Sequence, residues 1–205
     1  MTRASKTTTK PYRVAPNARL VEMTSRLTPG DVLELGCGNG GDALWLAEHD
    51  WNVTALDISQ RAVEQLTALA QKTRLTHRLV ATQWDLDAGV PSGEFDLVNA
   101  HYLHAASQLD RAAVFRAAAH ALRPGGHLLV VDHGSIAPWS WNQDPSTHFP
   151  SSRELHREIA LEPPEWELVR AEADQRIAAG PDGRKAEVTD HILMIRRASD
   201  RGRSA

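Results

Sequence analysis

The segment Glu34-Leu-Gly-Cys-Gly-Asn-Gly40 places three glycines directly behind one carboxylate. Glycine tolerates positive φ and lets the backbone come close to a bound molecule, so Gly36, Gly38 and Gly40 read as a ligand cradle. Extended to Gly41, the spacing also satisfies the G-x-G-x-x-G pattern of dinucleotide enzymes. Two further acids narrow the chemistry. Asp57 follows about 20 residues later, where a carboxylate can accept hydrogen bonds from both ribose hydroxyls. Asp85, beside Trp84, is spaced to receive the exocyclic amino group of an adenine, with Asp87 on the same loop as an alternative. Ile58, Leu86 and Asn99 complete the expected lining. Glu34 is poorly placed against a pyrophosphate and well placed against a cationic sulfonium or ammonium group. Cys37, the sole cysteine, has no nearby base or C-x-x-C partner and reads as a small loop side chain, not a nucleophile. Asp42 reads as the cap of the next helix. Gly36 and Gly38 could equally form only a tight turn, and Asp57 could cap the helix that follows it.

A second constellation lies further along the chain. His101, Tyr102 and His104 follow one apolar run, and Asp132 and His133 end another. His133 is the first candidate for a base or orienting group and His101 the second. Alternating side-chain directions in a strand point Asp132 and His133 apart, so no dyad is expected between them. Tyr102, His104, Trp139 and Trp141, with Tyr12 from the N-terminal segment, supply the expected wall for a substrate. That lining holds no cationic residue near Trp139 and Trp141, and it suits a small, flat, largely uncharged molecule. His101-x-x-His104 has metal-ligand types, but no carboxylate cluster accompanies it, so no metal is expected.

Strands and helices must bring these groups together. From Asp31 onward, short β-branched runs alternate with helical ones, the pattern of a mostly parallel sheet. Strands are expected at Asp31–Leu35, Val53–Asp57, about 78–84, Phe95–Asn99 and His127–Asp132. Helices are expected at Asp42–Ala47, after a Ser59 cap, from about Asp110 to Leu122, and at Ser151–Ile159. Arg123-Pro-Gly-Gly126 turns the chain back toward the sheet. Two last runs, Trp166–Ile177 and Ala186–Arg196, joined by Gly180-Pro-Asp-Gly183, read as an antiparallel hairpin. In such sheets ligands gather beyond the carboxyl ends of the strands, where both constellations fall.

The 205 residues suit one domain, with 41% hydrophobic and 24% charged residues and a formal charge of −3. That charge offers no concentrated basic surface for nucleic acid. No apolar run approaches a membrane span, and no apolar leader core follows Arg3, Lys6, Lys10 and Arg13, so no membrane partner and a cytoplasmic location are expected. Residues 1–16 read as a flexible tail and possible lid, 17–197 as the domain and 198–205 as a flexible C-terminal tail.

Residues 31–132 resemble the core of the class I S-adenosylmethionine-dependent methyltransferases, through the glycine loop, Asp57, Asp85 and Leu122-Arg-Pro-Gly-Gly126. Gly40-Gly-Asp-Ala-Leu-Trp-Leu-Ala47 with Trp51–Asp57 is similar to small bacterial enzymes related to the tellurite-resistance methyltransferases. The resemblance implies an α/β, Rossmann-like three-layer sandwich whose seven-stranded, mostly parallel sheet ends in an antiparallel hairpin. It implies S-adenosyl-L-methionine as cofactor and methyl transfer to a small acceptor, aromatic or heterocyclic, at O, N or S. The residues leave two other readings open: a dinucleotide-dependent oxidoreductase, and a non-catalytic S-adenosylmethionine-binding protein.

Overall fold

The computed structural model describes residues 15–103 and 109–199. Seven strands form one sheet: β1 (Asp31–Leu35), β2 (Asn52–Asp57), β3 (Leu79–Gln83), β4 (Phe95–His101), β5 (Leu122–His133), β6 (Trp166–Ala179) and β7 (Lys185–Arg197). Their order is β3-β2-β1-β4-β5-β7-β6. The first five run parallel, and β7 pairs antiparallel with both β5 and β6. The order reverses between β1 and β4, which opens a crevice beyond their carboxyl ends.

Period-2 alternation sends successive side chains to opposite faces. Val32, Val53, Leu97, Leu129 and Ile192 pack with Leu20, Ala43, Leu46 and Leu66 from helices α1 (Ala18–Thr24), α2 (Gly41–Glu48) and α3 (Gln60–Thr73). Leu33, Val98, Leu128 and Leu193 pack with Phe115, Leu155 and Ile159 from α4 (Arg111–His120) and α5 (Ser152–Ile159). The three layers follow from that division. Local signals start the helices: Ser59 accepts from Ala62 N–H, Asp110 from Ala113 N–H, and Ser151 with Glu154 forms a reciprocal capping box.

Several boundaries differ from the sequence reading. Helix α1 was not anticipated, although Asn17 caps it by accepting from Arg19 N–H. Helix α4 ends at His120, and β5 already begins at Leu122, running through Arg123-Pro-Gly-Gly126. Leu122 pairs with Phe95, and the register then shifts so that His127 pairs with Leu97. Gly125, at φ +89, lets the chain make that adjustment while staying in the sheet. No described helix is long and apolar enough to cross a membrane.

Candidate active site

The glycine loop leaves β1 pinned to β2, because Gly36 and Cys37 both donate their N–H to Leu56 C=O. Gly36, Gly38 and Gly40 all take positive φ. A Cβ built on Gly38 would meet nothing within 4 Å, whereas one on Gly40 would lie 2.6 Å from Leu66 Cδ1. Gly38 thus faces open space and Gly40 faces the core. Two cavities meet at Gly36, Gly38, His101 and Tyr102. One, of about 300 Å³, is also lined by Asp57, Ile58, Trp84, Asp85, Leu86 and Asp87. The other, of about 650 Å³, runs along Glu34, Cys37, Asn39 and Asp42 to Arg176, with Ala15 and Pro16 on its rim.

In the smaller cavity the expected acids stand on one wall. Asp57 Oδ2 accepts from Gly38 N–H at 2.8 Å and Oδ1 from Ser59 N–H at 2.9 Å. Each oxygen keeps a second lone pair for a hydroxyl donor. Asp85 Oδ1 caps the turn at Leu86–Ala88 by accepting from Asp87 N–H. Trp84 Nε1 donates to Gly89 C=O at 2.8 Å, which fixes its ring. Ile58 is 66% exposed and offers a bare apolar face there.

The larger cavity is electrostatically unusual. Glu34 is buried, and its Oε2 has no hydrogen-bond partner. Burial first, then the nearby Asp42 and Asp57 charges, pushes its carboxyl well above the ordinary value. Such an orphaned buried acid fits the ammonium of S-adenosylmethionine. The Gly38 opening leaves room for the same ligand's passage along the loop, so the residues present fit that cofactor. Cys37 is buried, and desolvation followed by Glu34 and Asp57 raises its thiol to about 12, in keeping with an inert side chain. Asn99 lies opposite Glu34 in the β1–β4 register, fully buried, with both amide atoms unpartnered, beneath the cavities and not on their walls.

Asp42 does not cap α2; Gly40 occupies that position without a side-chain bond. Instead Asp42 accepts from Asn17 N–H and lies 2.8 Å from His101 Nδ1. That approach is close but off line for a hydrogen bond, so neither nitrogen of the buried imidazole is bonded.

His133 lies elsewhere. It stacks on Tyr102 with ring centroids 4.2 Å apart and planes 13° from parallel. Tyr102 holds an uncommon φ of +50 for a bulky residue. Its hydroxyl donates to Asp190 Oδ1 at 2.9 Å and accepts from Arg176 Nη2 at 3.0 Å. Burial first, and then the Asp190 charge, raises the phenol's pKa and keeps it protonated. On the far side of the stacked pair a chamber of about 580 Å³ holds His133, Trp139, Trp141, His148 and Phe149. Contrary to the sequence reading, a cation reaches it. Arg111 is on its wall, with Nη2 2.6 Å from both oxygens of Asp132, so the two charges offset each other. Asp132 and His133 both border this chamber, and Asp132 is bonded to Arg111 there. Trp139 packs on Gly180, and Arg184 donates to Pro138 C=O, which ties this chamber's loop to the β6–β7 turn. Tyr12 and His104 lie outside the described residues. Among the described residues no three His, Cys, Asp or Glu side chains converge as a metal site. Sequence reasoning missed Arg176 and Asp42 as cavity residues; only their long-range partners reveal them.

A fold of this order with this loop at its switch point defines a class, and comparison with known proteins agrees. Residues 32–126 match the methyltransferase domain family, and this part of the chain is similar to the class I S-adenosylmethionine-dependent methyltransferases. It is 38% identical over 130 residues to 27-O-demethylrifamycin SV methyltransferase of Amycolatopsis mediterranei, covering 57% of this chain and 47% of that one. It is 31% identical over 133 residues to ribosomal RNA small subunit methyltransferase C of Alcanivorax borkumensis, covering 63% and 40%. The chain thus spans under half the length of these relatives. Among solved structures, a protein described through conversion of a disulfide bond into a thioacetal group during echinomycin biosynthesis is 26% identical. It superposes with a TM-score of 0.67 over 92% of this chain and 85% of its own. TehB from Haemophilus influenzae, 19% identical, shares the fold with a TM-score of 0.66 over 88% and 62%.

Proposed function

We propose that this chain transfers the methyl group of S-adenosylmethionine to a small acceptor, aromatic or heterocyclic, at O, N or S. The observation that carries the reading is the orphaned, buried Glu34 carboxylate beside an open glycine cradle. Glu34, Asp42 and Asp57 together make a wall that welcomes a sulfonium and an ammonium and opposes a pyrophosphate, which disfavours the dinucleotide alternative. In this reading Gly36, Cys37 and Gly38 carry the cofactor's backbone contacts and Gly40 shapes the loop. Asp57 takes the ribose, and Ile58, Trp84, Asp85 and Leu86 hold the adenine. Asn99, buried with both amide atoms unpartnered, is a further cofactor-binding residue in this reading.

The cofactor supplies an activated methyl group, whose displacement needs no protonation of the leaving atom. The chain's own contribution is then placement of the nucleophile in line, and base assistance where the acceptor is protonated. The acceptor's body sits against Tyr102, Trp139 and Trp141, with Tyr12 and His104 as further contacts, and His133 and His101 are the candidate bases. In this reading residues 17–197 are the methyltransferase domain, 1–16 an N-terminal tail able to serve as a lid, and 198–205 a C-terminal tail. The partner is a small molecule rather than nucleic acid, and the working place is the cytoplasm. The rifamycin-acting relative, named for an O-demethyl substrate, supports a small-molecule acceptor. Isothermal titration with S-adenosylhomocysteine and with a nicotinamide dinucleotide tests the cofactor. Release of S-adenosylhomocysteine with phenols, thiols, heterocyclic amines and ribosomal RNA tests the acceptor. Binding of the dinucleotide alone would overturn the reading, and binding of S-adenosylmethionine without any turnover would leave the non-catalytic alternative.

A further inference from the structure

We infer that His101 is the base of this site, positioned by Asp42, and that the acceptor's nucleophile is a hydroxyl. The inference rests on the cofactor reading above and selects between its two histidines. His101 ends β4 at the switch point and lines both cavities that meet at the glycine loop. Its ring is buried with Nδ1 2.8 Å from Asp42 Oδ2, and its Nε2 has no partner. Neither nitrogen of this buried imidazole makes a hydrogen bond, a state that folded proteins rarely leave without a use. Asp42 is itself held on its other oxygen by Asn17 N–H. A small rotation of the ring turns the 2.8 Å approach into an Nδ1–H···Oδ2 bond, which leaves Nε2 as the acceptor.

His133 is placed differently: its ring is stacked on Tyr102 and borders the aromatic chamber, away from the glycine loop. The charged and titratable groups facing His101 across the two cavities are Asp42 from α2, Glu34 from β1, Asp57 from the end of β2, Asp85 and Asp87 beyond β3, Cys37 in the loop, Tyr102 beyond β4 and Arg176 from β6.

A base of this kind has work only when the nucleophile arrives with its proton. A thiolate or a neutral amine needs none, whereas an alcohol or phenol does. In the step proposed, the hydroxyl oxygen forms a bond to the methyl carbon as the carbon–sulfur bond breaks, its electron pair remaining on the neutral sulfur. The hydroxyl proton passes to His101 Nε2, and Asp42 balances the imidazolium until the proton leaves to solvent.

Titration calorimetry with S-adenosylhomocysteine comes first; no binding would defeat the cofactor reading and this inference with it, whereas failure of the steps that follow defeats this inference alone. Long-range ¹H–¹⁵N spectra of the bound protein then assign the neutral His101 tautomer. The proton is expected on Nδ1, and Asp42→Asn is expected to shift the tautomer balance toward Nε2. A parent ring protonated on Nε2, or one indifferent to Asp42→Asn, overturns the pair. With phenol, catechol, 4-nitrophenol and thiophenol as acceptors, phenol-type turnover is expected. His101→Gln should lower kcat by about 10²-fold near neutral pH, with the loss shrinking at alkaline pH where the phenolate forms unaided. Turnover of thiophenol alone, no turnover of any hydroxyl acceptor, or a loss that pH does not relieve contradicts the proposal.

Discussion

Gly38→Ala adds one methyl group at the point where the cofactor and a structural turn make different demands. Gly38 sits at φ +49, so any L side chain there carries the left-handed penalty of about 1–2 kcal/mol. Nothing in the protein lies within 4 Å of the added carbon, so no clash is added to that penalty. For a chain of this size each kcal/mol lowers the melting temperature by about 2–4 °C, which predicts a fall of roughly 2–8 °C. The cavity loses the space instead. Overpacking against a bound ligand costs about 1–3 kcal/mol, or roughly 5- to 150-fold in affinity. Gly40→Ala is the contrast. It carries the same backbone penalty at φ +77 and in addition drives its carbon to 2.6 Å from the fully buried Leu66. Its melting temperature should fall well below that of Gly38→Ala. The assay is thermal unfolding of both variants, followed by calorimetric titration with S-adenosylhomocysteine. Parent-like affinity in Gly38→Ala would show that the cofactor does not pass that glycine. A stability loss equal to that of Gly40→Ala would make the residue a turn former only.

Asp57→Ala should weaken S-adenosylmethionine by about 1.5–3 kcal/mol, the value of hydrogen bonds to a charged group; unchanged affinity in a folded variant removes the ribose assignment. Glu34→Gln should move two readouts in opposite directions, raising the apo protein's stability while weakening the cofactor. Because the folded carboxyl's pKa lies above its ordinary 4.5, the folded state holds that proton more tightly than the unfolded chain. Glu34's stabilising contribution is therefore present at low pH and is lost as pH rises above 4.5 through the folded value. Urea unfolding between about pH 5 and pH 8 should show a smaller decline in Glu34→Gln than in the parent. Trp141→Ala, at a residue 96% exposed, should leave stability within about 0.5 kcal/mol. It should raise the acceptor's KM, measured by S-adenosylhomocysteine release; an unaltered KM removes Trp141 from the acceptor wall.

The parallel strands and the glycine loop were legible because their signals are local. β1 through the glycines to Asp57 is one continuous stretch, and Ser59 and Ser151 announce the helices they cap. Helix α1 was not legible because seven residues make only about two turns, too few to display a helical period. β5 was read from His127 because proline and paired glycines signal a turn, whereas a register shift carries them within the strand. The groups after β4 and β5 depended on distant partners. Tyr102 meets Asp190 from 88 residues away, and Asp132 is claimed by Arg111 across the sheet edge. No spacing rule reports such pairs, so a chamber that read as free of cations acquired an arginine and its counter-ion.

The packing of Trp139 on Gly180, with Arg184 bonded to Pro138 C=O, has an evolutionary consequence. One wall of the aromatic chamber is a joint between the segment after β5 and the β6–β7 turn, and both lie beyond residue 126, where the family match ends. A lengthened turn, or a bulkier residue in place of Gly180, would displace the tryptophan and remould the chamber without altering any glycine or acid of the cofactor wall. Selection can therefore reshape the chamber and preserve the glycine loop through separate stretches of the gene, the first drifting while the second is held.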